Sequence, residues 1–176
     1  MTEDVKVQMI ALLPRLRRFA YGLTGHRDEA DDLVQAACER ALSRLDQWQP
    51  GTRLDSWMYR IVQTTFIDGM RKRKVRGDQV DLDLAQNVAG SDGPSAMEAR
   101  LTLDAVRTAI GRLPDDQRSV LLLVTVEGQS YREAADTLGI PQGTLMSRLA
   151  RARLRLHEMV YGPGSPEGAA TQRSSA

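Results

Sequence analysis

The side chains best suited to chemistry lie in the C-terminal third of the chain, in the stretch YREAADTLGIPQGTLMSRLARARLRL at residues 131–156. At about 100° per residue, an α-helix there gathers five hydrogen-bond donors within about 60° of one line. These donors are Thr144, Ser147, Arg148, Arg151 and Arg155. Guanidinium groups donate paired hydrogen bonds to phosphates and to guanine edges, so the stripe suits a polyanion. A solvated arginine face would explain the arginines alone equally well, because charged side chains are mostly exposed.

A second, apolar stripe, centred about 110° from the donors, is expected to hold this helix in the protein. It consists of Leu145, Leu149, Ala152 and Leu156. Upstream, Ser130 is positioned to cap a short helix, Gly139 permits a left-handed turn, and Pro141 restarts the chain at a helix N-terminus. Small Ala135 lets the two helices approach closely. The pattern predicts a helix-turn-helix whose second helix fits a major groove, and it favours DNA binding over a solvated face.

Composition limits the class of protein. The chain has 176 residues, enough for one domain or two small ones, and a formal net charge of only +1. Its single cysteine, Cys38, excludes an internal disulfide and argues against a cysteine metal site. No apolar run approaches the roughly 18 residues of a membrane span, so we expect a cytoplasmic protein with no membrane partner.

The sequence shows no pattern typical of a catalytic site. His26 and His157 lie far apart without metal-ligand spacing, and no phosphate-cradling glycine loop is present. We therefore expect no cofactor, no bound metal and no enzymatic activity.

Local charge is less balanced than the total. The block RKRKVR at Arg71–Arg76 is almost wholly basic, whereas Gly77–Glu98 carries five carboxylates and no Lys or Arg. A basic block, an acidic spacer and the arginines after Tyr131 suggest two modules that grip one polyanion.

Helical spacing of apolar residues predicts an all-α fold. We expect a first helix from about Asp4 to Tyr21, a second capped by Asp28, and a third opened by a capping box of Thr52 and Asp55. The inward positions of the second helix are Ala30, Leu33, Val34, Ala37, Cys38, Ala41, Leu42 and Leu45. Later helices are expected near 98–112 and after Pro114. The sequence GSDGPS marks the centre of a linker.

We predict two small helical domains joined by a flexible acidic linker. The boundaries are 1–76 for the first domain, 77–97 for the linker, 98–161 for the second domain, and 162–176 for a disordered tail rich in Gly, Ser, Pro and Ala.

The motifs resemble those of a known family. The stretch LPDDQRSVLLLVTVEGQSYREAADTLGIPQGTLMSRLARARLRL resembles region four of bacterial RNA polymerase sigma factors of the extracytoplasmic-function (ECF) group. DEADDLVQAACERAL and RLDSWMYRIVQTTFIDGMRKRK resemble region two of the same family. The resemblance covers about Met9 to Met159. It implies a stress-response transcription initiation factor that binds core RNA polymerase, promoter DNA and an anti-sigma factor.

By this resemblance, the first domain binds core polymerase and the melted minus-ten element. Asp32, Gln35 and Glu39 would dock on the polymerase, although the residues alone favour a solvated helix face. The residues implied for the minus-ten strand are Arg53, Leu54, Thr64, Arg71, Lys72, Arg73, Lys74 and Arg76. Cations there would hold phosphates while a separated base enters a pocket.

The second domain would read the duplex minus-thirty-five element. The residues implied are Gly143, Thr144, Ser147, Arg148, Arg151 and Arg155. Gly143 would let the backbone approach the DNA, and the acidic linker would pass toward the active-site cleft of the polymerase unless it is an ordinary spacer.

Two other functions remain open. A sigma-like decoy would sequester an anti-sigma factor without binding promoters, but it would not need the arginine stripe or the RKRKVR block. A one-component regulator would leave the resemblance to region two unexplained.

Overall fold

The computed structural model of the protein describes residues 2–77 and 94–162. These residues form α-helices with one short 3-10 turn and no strand, so the predicted all-α fold is confirmed. The elements are α1 (Thr2–Thr24), α2 (Arg27–Ser43), the 3-10 turn (Leu45–Gln47), α3 (Leu54–Arg76), α4 (Pro94–Gly111), α5 (Asp115–Thr125), α6 (Tyr131–Leu138) and α7 (Gln142–Tyr161). We call α1–α3 the first half and α4–α7 the second half. Among the helices at 2–77 and 94–162, none combines the length and the apolar character that a membrane span needs.

The first half is a three-helix bundle in which α1 packs on both α2 and α3. Phe19 on α1 meets Tyr59 on α3 edge to face, with ring centroids 5.2 Å apart, an arrangement that adds to the gain from burial. Cys38 is half-buried against this core, as expected for a small apolar residue. Leu42 is 49% exposed, so its predicted inward position is wrong: α2 ends at Ser43, and its last turn extends beyond the core.

Two predicted helix starts in the first half are wrong. His26, rather than Asp28, occupies the N-cap of α2, and Asp28 lies in the first turn, where its charge suits the helix dipole. The capping box of Thr52 and Asp55 does not form, because the Thr52 hydroxyl donates to the carbonyl of Gln49 at 2.7 Å. Arg53 takes the N-cap position of α3 instead.

The predicted helix-turn-helix is formed by α6 and α7. The Ser130 hydroxyl accepts a hydrogen bond from the Glu133 amide, and the Glu133 carboxylate accepts one from the Ser130 amide, which makes a full capping box. Gly139 ends α6 at φ 64°, in the left-handed region that glycine adopts without strain. Ala135 and Leu145 are both buried between the helices, as the spacing predicts.

The two halves pack against each other through α1, α3, α5 and α6. The approach of α1 to α5 is close, since a Cβ on Gly22 would lie 2.7 Å from a methyl carbon of Leu122. At the centre of the contact lies Glu127, from the turn after α5, whose side chain is fully buried. The halves therefore share one continuous core in this conformation.

The predicted linker and tail lie largely outside the described residues, at 78–93 and 163–176. Within the described part, α3 ends at Arg76, at the predicted boundary of the first domain, with Gly77 as its left-handed C-cap. Helix α4 begins at Pro94, inside the stretch that was assigned to the linker.

Candidate nucleic-acid and polymerase interfaces

The donor stripe and the apolar stripe of α7 lie on different sides, as predicted. Leu145, Leu149 and Ala152 are buried, and Leu156 packs partly on the core. The donor stripe faces solvent: Gly143, Ser147, Arg151 and Arg155 are exposed, and Thr144 and Arg148 are half-buried. This places the predicted minus-thirty-five residues on one exposed face of a helix-turn-helix.

Two arginines of this stripe are held by neighbouring groups. Arg148 pairs with Asp116 of α5, with its Nε 3.2 Å from the carboxylate. Arg151 donates to the Ser147 carbonyl at 3.2 Å and to the Ser147 hydroxyl at 3.3 Å. Surface contacts of this kind contribute little to stability, so the guanidinium groups can exchange these partners for DNA.

The C-terminal end of α3 carries the RKRKVR block on its surface. Arg71, Lys72, Lys74 and Arg76 are exposed, and Arg73 turns back toward Glu29 of α2, 3.6 Å away. Cations in the last turn of a helix also suit the helix dipole, so this block stabilises α3 as well as forming a basic surface.

The other predicted minus-ten residues lie apart from this block, near the start and middle of α3. Arg53 is exposed and donates two hydrogen bonds to Asp55, which lower the pKa of the Asp55 carboxyl despite its partial burial. Thr64 is exposed, with its hydroxyl donating to the Arg60 carbonyl at 2.7 Å. Leu54 is only 6% exposed, so its side chain lies in the core rather than on this surface.

The predicted polymerase-binding residues share the outer face of α2. Asp32, Gln35 and Glu39 are all exposed, and the Gln35 amide donates to the Glu39 carboxylate at 3.1 Å. The buried face of α2 is formed by other positions, such as Leu33, Val34 and Ala37. The trio is therefore available to a partner without disturbing the core.

One polar cluster was missed by the sequence analysis. The Glu127 carboxylate accepts hydrogen bonds from Arg18 at 2.9 and 3.0 Å, from Arg15 at 3.4 Å, and from the Tyr59 hydroxyl. Burial, together with the hydrogen bond to Glu127, raises the pKa of Tyr59 well above its ordinary value. Because Glu127 lies 109 residues from Arg18 along the chain, no local pattern points to the cluster.

The second missed residue is Arg118 on α5, which is 5% exposed. Its guanidinium donates to carbonyls at the end of α4 and to the Leu23 carbonyl of α1. Burial lowers the pKa of Arg118. Carbonyls at helix ends lack partners within their own helix, and a cation near them is favourable, which is the only local signal that predicts such a role.

These features define a two-module helical protein of the transcription-factor class, with an exposed arginine stripe on a helix-turn-helix. Two family descriptions match the chain: Sigma-70, region 4 over residues 103–156, and the Sigma2 domain of PhyR over residues 9–63.

The described residues contain no group of three or more His, Cys, Asp or Glu side chains that could hold a metal ion.

The similarity to known relatives covers nearly the whole chain. The chain is 36% identical over 167 residues to the ECF RNA polymerase sigma factor EcfG of Rhodopseudomonas palustris, covering 95% of this chain and 91% of EcfG. The sigma factor RpoE of Bartonella quintana, solved with the anti-sigma factor NepR, superposes with a TM-score of 0.71 at 34% identity, covering 89% and 96% of the two chains. The protein belongs to the ECF sigma factor family, whose members are transcription regulators rather than enzymes.

The same fold occurs in a protein with another role. The anti-anti-sigma factor PhyR, solved with NepR from Bartonella quintana, superposes with a TM-score of 0.61 at 17% identity. The match covers 88% of this chain and 50% of that chain. At that identity the likeness shows the fold alone.

Proposed function

We propose that the protein binds core RNA polymerase and directs it to specific promoters, melting the minus-ten element and reading the minus-thirty-five element. The observation that carries this proposal is the exposed donor stripe of α7, set on a helix-turn-helix in a chain related to EcfG along almost its full length. A major groove admits one helix, and such donors read guanine edges or hold phosphates there.

The proposal divides the work between the halves. In the first half, Asp32, Gln35 and Glu39 dock on the polymerase, and the RKRKVR block holds the phosphates of the melted strand. In the second half, Arg148 and Arg151 contact the duplex. The exposure of all these groups, except for the half-buried Arg73 and Arg148, supports this division.

An anti-sigma factor is proposed as the regulatory partner. RpoE of Bartonella quintana was solved with NepR, and RpoE covers most of this chain at 34% identity. We expect such a partner to compete with core polymerase for the free protein, which is proposed to act in the cytoplasm.

The second candidate is a decoy that sequesters an anti-sigma factor. The match of residues 9–63 to the Sigma2 domain of PhyR favours it, since PhyR is an anti-anti-sigma factor. A decoy does not need promoter contacts, however. The exposed cations on α3 and α7 therefore support promoter binding more strongly than they support the decoy.

Run-off transcription with core polymerase on a library of promoter sequences tests the proposal. A promoter-specific factor enriches templates with two short elements at a fixed spacing, and omission of the protein abolishes these transcripts. Absence of enriched templates, with tight binding to an anti-sigma factor, would establish the decoy instead.

A further inference from the structure

The Glu127 cluster has the chemistry of an occupied anion site. Three side chains of the first half converge on one carboxylate, and we call them the α1–α3 anion site: Arg15, Arg18 and Tyr59. Two guanidinium groups face Glu127, and without it only Asp55, 3.8 Å from Arg15, would remain beside them, so the site would then carry a surplus of positive charge. The Arg18 side chain holds both oxygens of Glu127 through Nε and Nη2, which is the forked geometry that guanidinium groups also use for phosphate.

The α1–α3 anion site is linked to Arg53, a residue already implied in DNA binding. Asp55 makes this link, because its carboxylate lies 3.8 Å from Arg15 and 2.7 Å from Arg53. Arg53 is in turn paired with Glu133 of the second half. Thus two carboxylates of the second half, the buried Glu127 and the more exposed Glu133, pair with cations of the first half.

The closed arrangement of the halves is incompatible with reading both promoter elements. The elements lie about 25 base pairs apart, which is about 85 Å of duplex at 3.4 Å per base pair. A compact chain of this size is only about 40 Å across. Promoter binding therefore requires the halves to separate, and separation withdraws Glu127 from the α1–α3 anion site.

We propose that the α1–α3 anion site binds a backbone phosphate of promoter DNA, and that Glu127 occupies it as a competitor while the halves are closed. This rests on the proposed function. A phosphodiester has one negative charge and two free oxygens, so it replaces the carboxylate without a change in the donors. The second half then protects the site from nonspecific nucleic acid until the polymerase opens the chain.

Two variants test this, because they break the same ion pair from opposite sides. Glu127→Gln removes the competitor and keeps the site, whereas Arg18→Ala removes a principal ligand of the site. Small-angle X-ray scattering of the full chain should show a larger radius of gyration for both. If neither variant expands the chain, Glu127 does not hold the halves together and the proposal is wrong.

DNA binding separates the two variants. The probe is a fluorescent fork-junction fragment, with a duplex minus-thirty-five element and a single-stranded minus-ten element taken from the enriched templates. We expect Glu127→Gln to bind it about tenfold more tightly than wild type, since a lost charged hydrogen bond shifts the closed state by about that factor. Arg18→Ala should show no such gain. The slope of its log affinity against log salt concentration should be shallower by about one unit than that of Glu127→Gln.

The decisive result is the comparison of the DNA affinities of Glu127→Gln and Arg18→Ala. Equal gains in affinity would mean that the ion pair is only a conformational lock, and the phosphate site would be rejected. In the assembled holoenzyme, where the halves are already apart, Glu127→Gln should match wild type and Arg18→Ala should still bind more weakly.

Matched controls separate these effects from misfolding. Arg17→Ala changes an exposed arginine of the same helix whose partner, Asp31, lies in the first half at 3.1 Å, so neither closure nor DNA affinity should change. Circular dichroism melting reports on the fold. If Glu127→Gln unfolds, Glu127→Asp shortens the competing carboxylate while it keeps all three donors of the α1–α3 anion site, and it should raise the affinity for DNA by a smaller factor.

Failure of the inference is distinguishable from failure of the proposed function. If the wild-type protein initiates at selected promoters but both variants bind DNA alike, only the phosphate site is wrong. If the wild-type protein directs no initiation at all, the proposed function is wrong, whatever the variants do.

Discussion

The guanidinium of Arg118 donates a 2.6 Å hydrogen bond to the carbonyl of Leu23, and so joins α5 to the last turn of α1. The same side chain donates to the carbonyls of Ile110, Gly111 and Leu113, at the end of α4 and just beyond it. One buried cation therefore satisfies carbonyls at the ends of two helices, which otherwise lack partners within their own helices.

We expect Arg118→Met to lower the free energy of unfolding by about 3 kcal/mol, because several buried carbonyls would lose their donor at once. Arg118→Lys should recover only part of the loss, since an ammonium group cannot span the same acceptors. Urea denaturation measures both. Arg112→Met, an exposed change nearby, should stay within about 0.5 kcal/mol. Equal losses at the two positions would contradict the bridging role.

The outer face of α2 gives the second prediction. Replacing Asp32, Gln35 and Glu39 together by Ala should leave the melting temperature within about 3 °C, because exposed side chains rarely affect stability. Affinity for core polymerase should fall at least about tenfold. The control is Asp136→Ala with Glu158→Ala, which makes the same change in charge on the exposed surface of the second half. Normal polymerase binding by the triple variant would mean that these three side chains only form a solvated face of α2.

The arginine stripe of α7 gives the third prediction. Replacing Arg148 or Arg151 by Ala should cost about 1–3 kcal/mol of DNA binding if the side chain reads a base, with relaxed preference at that position. If it holds phosphate, affinity should fall evenly across sequences. Binding of the full chain to a minus-thirty-five duplex across a salt series distinguishes these. The matched control is Arg153→Ala, exposed on the opposite side of the same helix, which should bind like wild type.

A second control tests the apolar stripe of α7. Leu149 is only 2% exposed, so Leu149→Asp buries an unpaired charge and should unfold the helix-turn-helix. Circular dichroism would show this loss, whereas Arg148→Ala and Arg151→Ala should keep their helical signal. Wild-type DNA affinity in both arginine variants would favour the decoy.

Local spacing predicted the parts of the fold that depend on near neighbours. The caps at Ser130 and Gly139 and the two stripes of α7 follow from residues within a few turns, and the structure contains them. Asp28 and Thr52 were misassigned because several polar residues near a helix start compete for the same amide groups, and spacing alone does not rank them.

The candidate site was predictable for the same reason, since exposed polar stripes lie opposite apolar ones. Burial of Glu127 was not predictable, because its partners Arg18 and Tyr59 lie 109 and 68 residues away in sequence. For Arg118, the contact with Leu23 spans 95 residues, although its other acceptors are local. Glu127 follows a mostly apolar stretch that gives no sign of a distant counterion, and Arg118 stands among polar residues that are typical of an exposed position. The contact between the halves, which depends on these residues, was therefore missed.

The pH dependence of stability gives the last prediction, through Tyr59. Burial raises its pKa well above the ordinary value, and the hydrogen bond to Glu127 adds to the effect. In the unfolded chain the phenol ionises near its ordinary pKa of about 10, while in the folded chain it keeps its proton. Its contribution to stability is therefore complete below about pH 10 and is lost progressively as the pH rises above that value.

Wild-type protein should lose unfolding free energy above about pH 10 more steeply than Tyr59→Phe, by up to about 1.4 kcal/mol per pH unit. Urea denaturation of both proteins at a series of pH values from about 8 to 11 measures the difference, and lysine and arginine titration cancels between them. Scattering measurements without urea should show the halves separating above about pH 10, because the phenol ionises there only when it leaves Glu127, which favours the open form. Parallel stability curves for the two proteins would mean that Tyr59 ionises in the folded chain as readily as in the unfolded one, and that the hydroxyl does not help to hold the halves together.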